Sequence, residues 1–269
     1  MRFAAVVVTN GLSIAAGSLH AQQPATPAPT AADRPAARAD PNSMTAHQQL
    51  LEKAKRGGID VYFIGDSITR RWGALDYPQL LAHWQKTFFG WNAGNFAWGA
   101  DRTENILWRL ENGELDGGNR KVIVILAGTN NVGREAGSKA LVAEVTRGLA
   151  AIVYLCRDKA PNATIILTGI FPRNDSMAPL ATIARINANL ATLADGTRVR
   201  YLDVNDRLAN KDGLLFDGMM NPDKLPPALP GYQVWAEALK PILTELLGPP
   251  APTDHAPAPT GDPSAARQQ

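Results

Sequence analysis

The sequence predicts a three-layer α/β/α sandwich built on a parallel sheet of about five strands. Short segments with strand character alternate with segments of helical periodicity, as in chains whose parallel strands are connected by helices. Residues 121–127, Lys-Val-Ile-Val-Ile-Leu-Ala, form a continuous apolar run, which is typical of a strand covered on both faces. A second run at 61–65 ends in glycine and is followed by Asp66 and Ser67. With 269 residues and 45% hydrophobic content, the chain can bury the core of one such domain.

Each element follows from a local pattern. Segment 77–88 carries Leu80, Leu81, Trp84 and Phe88 on one helical face. Helices are predicted at 45–56, 77–88, 103–110, 139–158, 180–194 and 231–247. Strands are predicted where short β-favouring runs stand between them, at 60–64, 91–97, 121–127, 164–168 and 199–204.

The two ends of the chain differ in composition from the predicted folded domain, residues 44–248. Residues 1–21 have a short basic start and then mostly apolar or small residues, the pattern of a signal peptide. We therefore expect export to the periplasm or beyond, with no stable membrane insertion of the mature chain. Residues 22–43 and 249–269 are rich in Ala, Pro and Thr and are predicted to be disordered.

Charge and cysteine content exclude several classes of function. The net charge is +2 and no basic cluster is present, so nucleic-acid binding is not indicated. The single cysteine, Cys156, allows neither an internal disulfide nor a cysteine metal site. Because it lies in an apolar run, it is predicted to be a packed core thiol.

Ser67 is the candidate nucleophile. It follows a predicted buried strand, and ligand sites in open α/β sheets lie at the carboxyl ends of strands, where helix N–H groups also point. Asp66 and Ser67 are equally suited to capping the next helix, and the tripeptide alone does not decide between the two roles.

Loops after the next two strands carry groups that suit an oxyanion hole. Residues 95–103, Asn-Phe-Ala-Trp-Gly-Ala-Asp-Arg-Thr, include small residues that let a backbone N–H approach a ligand. Residues 128–131, Gly-Thr-Asn-Asn, supply uncharged amide donors, although alone they would indicate only a turn. Beside Gly65-Asp66-Ser67, the two loops favour a site that stabilises developing negative charge.

These blocks, with Asp223 and the later Gly-Tyr-Gln-Val-Trp-Ala at 231–236, resemble the ordered blocks of the SGNH/GDSL hydrolase family. The chain is most similar to the branch of bacterial proteins that resemble the catalytic subunits of platelet-activating-factor acetylhydrolase. The resemblance covers nearly all of the predicted domain. It implies a flavodoxin-like fold and hydrolysis of short acyl esters by a serine, without a metal or another cofactor. It also implies that Ser67 is nucleophile and backbone oxyanion donor, Asn130 the side-chain donor, and Asp223 the residue that orients a histidine.

Two positions depart from the family pattern. The third oxyanion donor is normally a glycine, and Ala100 stands there; its N–H serves if alanine tolerates the local dihedral angles. The family's Asp-x-x-His would require histidine at position 226, where this chain has Pro226. Proline has no proton to exchange, and loss of the base costs a serine hydrolase about 10⁶ in turnover. The resemblance therefore predicts an esterase of very low activity.

Other groups are weak replacements for the missing base. His20 lies in the predicted signal segment, His255 in the tail, His47 before the first strand, and His83 at a polar position of the helix at 77–88. Asp223, acting directly or through a water, is a further open possibility.

Four residues are predicted as possible substrate contacts: Asp66, Trp98, Asp101 and Arg102. Asp101 and Arg102 are equally suited to a helix cap with an ion pair. The function that follows is a secreted bacterial esterase whose substrates are small-molecule acyl esters, above all acetyl groups on carbohydrate or lipid. Two alternatives remain: a non-catalytic protein that binds an ester or an acetylated glycan, and a structural partner protein, which only the polar tails favour.

Overall fold

Five parallel strands form the central sheet of the structure, a computed structural model that describes Met1 and residues 31–265. The strands are β1 Val61–Gly65, β2 Ala93–Asn95, β3 Val122–Leu126, β4 Thr164–Thr168 and β5 Val199–Leu202. Their order across the sheet is β2-β1-β3-β4-β5, and each neighbouring pair is parallel. The predicted α/β fold with a parallel sheet is confirmed, and β1 lies between β2 and β3.

Helices cover both faces of the sheet. Side chains alternate along a strand, so Tyr62 and Ile64 of β1 pack in one core, and Val61 and Phe63 pack in the other. The first core lies under α1 Pro41–Arg56, α4 Thr103–Arg109, α6 Lys139–Lys159 and α7 Leu180–Ala191. The second lies under α2 Ser67–Trp72, α3 Pro78–Phe88 and α9 Leu229–Leu247. Burial on both faces explains why β3 carries only apolar side chains.

Two short helices are missing from the sequence-based predictions. They are α5 Thr129–Val132 and α8 Asn205–Leu208, and each follows a strand within a few residues. The helix expected directly after Gly65-Asp66-Ser67 is α2, which Asp66 caps. Helices of this length show too few turns for a periodic apolar pattern. A π-helical turn, Leu110–Glu114, continues α4. The longer helices lie within a few residues of the predicted segments.

The C-terminal tail lies against the domain, although its composition predicts disorder. The Ala251 N–H donates to the Gly90 carbonyl at 3.0 Å, and the Leu75 N–H donates to the Thr260 carbonyl at 3.2 Å. The Asp254 carboxylate accepts the Gly90 N–H at 2.7 Å. The tail is rich in proline, which restricts the unfolded chain and so lowers the entropy lost on ordering. Composition does not reveal these hydrogen bonds to the folded domain.

The described part of the preceding linker also contacts the domain. Ala32 is 1% exposed, and its carbonyl accepts the Thr103 hydroxyl at 2.7 Å. The Ala36 N–H donates to the Glu104 carbonyl at 3.0 Å. Apart from Met1, the predicted signal peptide at 1–21 lies outside the described residues, as do residues 22–30 of the linker. Within residues 31–265, no helix combines the length and apolar character needed to cross a membrane.

Candidate active site

Ser67 is the first residue of α2 and lies where β1 ends. Gly65 leaves no room for a side chain at this turn, because a Cβ there would lie 2.4 Å from the Leu126 carbonyl oxygen. Asp66 caps the helix, with Oδ1 accepting the Ile68 N–H at 2.9 Å. Ser67 is half-buried, and within residues 31–265 its hydroxyl has no hydrogen-bond partner.

The loop after β2 brings Ala100 to the same edge of the sheet. The Trp98 N–H donates to the Gly65 carbonyl at 3.2 Å, which ties this loop to the end of β1. Ala100 is exposed and has a φ of +61°, a left-handed conformation that costs a residue with a Cβ about 1–2 kcal/mol. Its N–H has no acceptor in the described part of the chain. The strained backbone thus presents a free donor.

Asn130 connects the loop after β3 to the loop after β2. Its Nδ2 donates to the Asp101 carbonyl at 2.8 Å, so one amide proton holds the residue that follows Ala100. The second amide proton has no acceptor among the described residues. Gly128, with a φ of +109°, makes the turn into α5 that presents Asn130. Ser67, Ala100 and Asn130 therefore lie at the ends of three neighbouring strands.

Two buried residues to which the sequence analysis gave no role hold these loops in place. Asn131 donates through Nδ2 to Glu104 Oε2 at 2.9 Å, linking α5 to α4. Arg173, which follows β4, donates to Thr129 Oγ1 at 3.2 Å and pairs with Asp175 at 2.6 Å. An arginine shortly after a strand end, in Phe-Pro-Arg, was the available sequence signal. Asp175 is two residues away but Thr129 is 44 residues away in the chain, so that signal did not reveal the link between the two loops.

Asp66 and Asp101 are buried, at 1% and 0% exposed. Burial, with the negative charge of Asp101 adding to it, raises the pKa of Asp66 to about 7. Burial raises the pKa of Asp101 to about 6, although its 2.8 Å ion pair with Arg109 opposes the shift. Oδ2 of Asp66 has no hydrogen-bond partner among the described residues. These surroundings suit the two carboxylates to holding the loops rather than to touching a substrate.

The other two predicted contact residues differ in exposure. Trp98 is 7% exposed; its indole N–H donates to Ser43 Oγ at 2.9 Å, and the Arg70 guanidinium lies 4.7 Å from its ring centre. The Arg102 side chain is 40% exposed and pairs with Glu104 at 3.1 Å. Of the four predicted contact residues, Arg102 is the most accessible.

The late loop carries Asp223 and Pro226 between β5 and α9. Asp223 is exposed, and its Oδ1 accepts the Leu225 N–H at 3.3 Å. Lys224 has a φ of +56°, so the chain turns sharply there. Pro226 is buried, and its carbonyl accepts the Asn221 N–H at 2.9 Å. The position expected to hold an imidazole therefore holds a ring that neither donates nor accepts a proton.

Tyr232, in the first turn of α9, attaches the end of this loop to α2, the helix that begins at Ser67. Its buried hydroxyl donates to the Ile68 carbonyl at 2.7 Å. Within residues 31–265 no hydrogen bond joins Asp223 to Ser67 or to the other two donors. Within the described residues, the three oxyanion candidates thus lie at neighbouring strand ends, and Asp223 forms no hydrogen bond to them.

The described histidines lie elsewhere. His47 Nδ1 lies 2.7 Å from Glu114 Oε1 in a buried pair. His83 accepts the Trp72 indole N–H at 2.9 Å, and burial lowers the pKa of its imidazole. The backbone of His255 is bonded beside the start of β2, at the opposite end of the sheet. None of the three contacts the candidate nucleophile.

The arrangement suits stabilisation of an oxyanion more than proton transfer. Among residues 31–265, no group of three or more His, Cys, Asp or Glu side chains is placed to hold a metal ion. The loops instead supply neutral donors, which stabilise a developing negative charge when they are fixed in advance. Such a site can bind and polarise an ester carbonyl beside a serine hydroxyl.

Comparison with known proteins matches the same region of the chain. The model of the GDSL-like Lipase/Acylhydrolase family matches residues 63–234. Platelet-activating factor acetylhydrolase IB subunit alpha1 of Bos taurus is 33% identical over 206 residues, covering 76% of this chain and 83% of the bovine protein. The alpha2 subunit of Gallus gallus is 35% identical over 178 residues, covering 65% of this chain and 72% of its own.

Solved structures support the same fold. A GDSL-like lipase from Bacteroides thetaiotaomicron superposes with a TM-score of 0.59 at 16% identity, covering 75% of this chain and 98% of that one. A member of the lipolytic G-D-S-L family from Veillonella parvula gives a TM-score of 0.55 at 17% identity, covering 70% and 100%. At sequence identities this low, the superpositions show a shared fold and nothing further.

Proposed function

The chain belongs to the GDSL-like lipase/acylhydrolase family, and from that membership we propose that it is a serine esterase of short acyl esters whose turnover is impaired by Pro226. The observation that carries the proposal is the grouping of Ser67 with the free Ala100 N–H and the Asn130 amide at three neighbouring strand ends. Acetyl esters of carbohydrate or lipid are the favoured substrates. The relatives named acetylhydrolase support an acetyl group.

In the proposed reaction, Ser67 Oγ attacks the acyl carbonyl and its proton must leave. The N–H groups of Ser67 and Ala100 and the amide of Asn130 stabilise the oxyanion, each donor being worth about 2.7–4 kcal/mol. The intermediate then expels the alcohol, which takes up a proton, and a water hydrolyses the acyl-enzyme. Without a histidine, solvent or a carboxylate must accept the Ser67 proton and supply the proton of the leaving alcohol, and for that reason turnover is slow.

A second candidate function is a binding protein that keeps the site without turnover. Two observations favour it: the Ser67 hydroxyl has no base among the described residues, and the Asp223 carboxylate is exposed and bonded only within its own loop. Such a protein would hold an ester or an acetylated glycan through the same donors. For both candidates we propose a secreted or periplasmic protein, on the strength of the signal-like residues 1–21.

Ester hydrolysis with a matched variant tests the proposal. We expect the chain to hydrolyse p-nitrophenyl acetate slowly but above the buffer rate, and Ser67→Ala to return the rate to buffer level. A fluorophosphonate probe should label the chain and leave Ser67→Ala unlabelled. Equal rates for both proteins, with no labelling, would reject the esterase and favour the binding protein.

A further inference from the structure

We propose that a small polar cavity beside Ser67 binds the alcohol part of the substrate and selects a neutral polyhydroxyl group such as a sugar ring. The cavity has a volume of about 180 Å³. Its walls include Arg38, Asp40, Arg70, Trp98, Gly99 and Asp262. This inference rests on the proposed ester hydrolysis and names the substrate class for that site.

The cavity adjoins the candidate nucleophile and the oxyanion loop. Arg70 follows Ser67 by three residues on α2, and helical residues three apart have Cβ atoms about 5–6 Å from each other. Gly99 directly precedes Ala100, and its carbonyl accepts from Arg38 Nη1 at 3.2 Å. Ser67 and Ala100 do not line the cavity themselves, but its wall includes a residue one helical turn from Ser67 and the residue that precedes Ala100.

The charges of the cavity are already neutralised by each other. Arg38 pairs with Asp40 at 2.9 Å and lies 3.6 Å from a carboxylate oxygen of Asp101. Arg70 pairs with Asp76. A charged ligand would therefore have to displace one member of an existing ion pair. A cation or an anion in the cavity would also lie near side chains of both charge signs. What remains is a wall of alternating hydrogen-bond donors and acceptors, which matches hydroxyl groups that both donate and accept.

An apolar alcohol finds little to contact here. Trp98 is the one large apolar side chain in the cavity wall, and the Arg70 guanidinium stacks on it at 4.7 Å. A larger and mainly apolar cavity, of about 710 Å³, lies between α7 and residues 205–216. None of its lining residues belongs to the loops of Ser67, Ala100 or Asn130. The apolar cavity is therefore separate from the three loops proposed to stabilise the oxyanion.

The two terminal segments complete the polar cavity. Arg38 and Asp40 belong to the segment before α1, and Asp262 belongs to the C-terminal tail. Asp262 Oδ1 accepts from Asn42 Nδ2 at 2.9 Å, and its N–H donates to Asp76 Oδ1 at 2.8 Å. The tail is thereby joined to α1 and to the chain that follows α2. Removal of the Asp262 side chain takes away one wall and leaves the catalytic loops untouched.

The experiment compares substrates in the Pro226→His protein, where turnover is expected to be measurable. The ratio of kcat/KM for 6-O-acetylglucose to that for p-nitrophenyl acetate should fall about tenfold or more in Asp262→Ala, as expected for a lost hydrogen bond to a bound hydroxyl. Asp254→Ala is the matched control. That tail aspartate binds the Gly90 and Asn92 N–H groups at 2.7 and 3.2 Å, away from the cavity, and the ratio should not change.

Two comparison substrates and one binding measurement make the outcome decisive. A preference for octyl acetate or for acetylated glycerophosphocholine over 6-O-acetylglucose would overturn the inference, as would a ratio unaffected by Asp262→Ala. Binding of methyl β-glucoside to the chain with Pro226, followed by saturation-transfer NMR, does not require turnover. If no esterase activity is found but Asp262→Ala abolishes that binding, the proposed hydrolysis fails and the polyol site stands. Absence of binding in that inactive protein overturns the site as well.

Discussion

Restoring a histidine at position 226 should raise ester hydrolysis by several orders of magnitude. Loss of the base costs a serine hydrolase about 10⁶ in turnover, or about 8 kcal/mol of barrier. A histidine without its orienting carboxylate forfeits up to about 10⁴ of that gain. The recovery in Pro226→His therefore lies between about 10² and 10⁶.

The local structure favours a gain in turnover above the lower limit of about 10². Asp223 uses Oδ1 for a long, 3.3 Å bond to the Leu225 N–H, which leaves Oδ2 for an imidazole N–H. The positive φ of Lys224 already forms the turn between the two catalytic positions. Proline donates no hydrogen bond, so the exchange removes none. It costs about 0.4–1 kcal/mol through the freer unfolded chain. We expect a gain of about 10³ or more in kcat for p-nitrophenyl acetate.

The control is Pro227→His, which places a histidine at the adjacent buried proline. Pro227 pairs across an isolated bridge with Met220, and neighbouring residues of an extended segment point to opposite sides. We expect a gain below about tenfold there. The reasoning is refuted if Pro226→His retains the thermal stability of the parent yet gains less than tenfold, or if its gain survives addition of Ser67→Ala.

Three further expectations concern the loops. Asn130→Ala in the Pro226→His protein should lower kcat by about 10²–10³, with little change in KM, as checked by steady-state kinetics. Ala100→Gly should leave the free energy of unfolding, measured with denaturant, unchanged or raise it by up to about 1 kcal/mol. Glycine relieves the strain of a left-handed alanine, and this gain balances or exceeds the cost of a more flexible unfolded chain. A decrease of more than about 1 kcal/mol would contradict the proposed strain. The pKa is raised to about 7 for Asp66 and to about 6 for Asp101, so the folded state binds more protons than the unfolded state. The stabilisation of the folded state by these two protons is complete below about pH 4 and is lost as the pH rises through 6 and 7. Asp66→Asn, which keeps the helix cap, should therefore raise the free energy of unfolding at pH 8 and change it little at pH 4; equal effects at both would contradict the assignment.

The fold could be predicted because its signals are local. The apolar runs of β1 and β3 identify buried parallel strands by themselves, and the order of the strand-end blocks indicates the family. The conformation of Ala100 could not be predicted, since its positive φ depends on neighbours that hold Trp98 and Asp101 in place. The burial of Asp66 and Asp101 was missed for a similar reason, because burial depends on the segments that pack around a residue in the fold and not on its neighbours in sequence.

The ordered tail was missed for a physical reason of another kind. Its apolar content is low, and disorder is the usual result of such a composition. Order comes from hydrogen bonds of the Gly90 and Asn92 N–H groups to the Asp254 carboxylate, and from backbone bonds such as that of the Ala251 N–H to the Gly90 carbonyl. Such contacts need the folded surface to exist first, so no window of sequence contains them.

Two of the three proposed oxyanion donors are main-chain N–H groups, at Ser67 and Ala100. A main-chain donor is present whatever side chain a mutation leaves behind, as long as the turn that carries it persists. The general base of such a site, in contrast, is a single imidazole side chain, and one codon change removes it. A substitution that removes the base therefore leaves the two main-chain donors of the proposed oxyanion hole in place. If Ser67, Ala100 and Asn130 act as proposed, a single substitution at Pro226 would supply the base that the proposed site lacks.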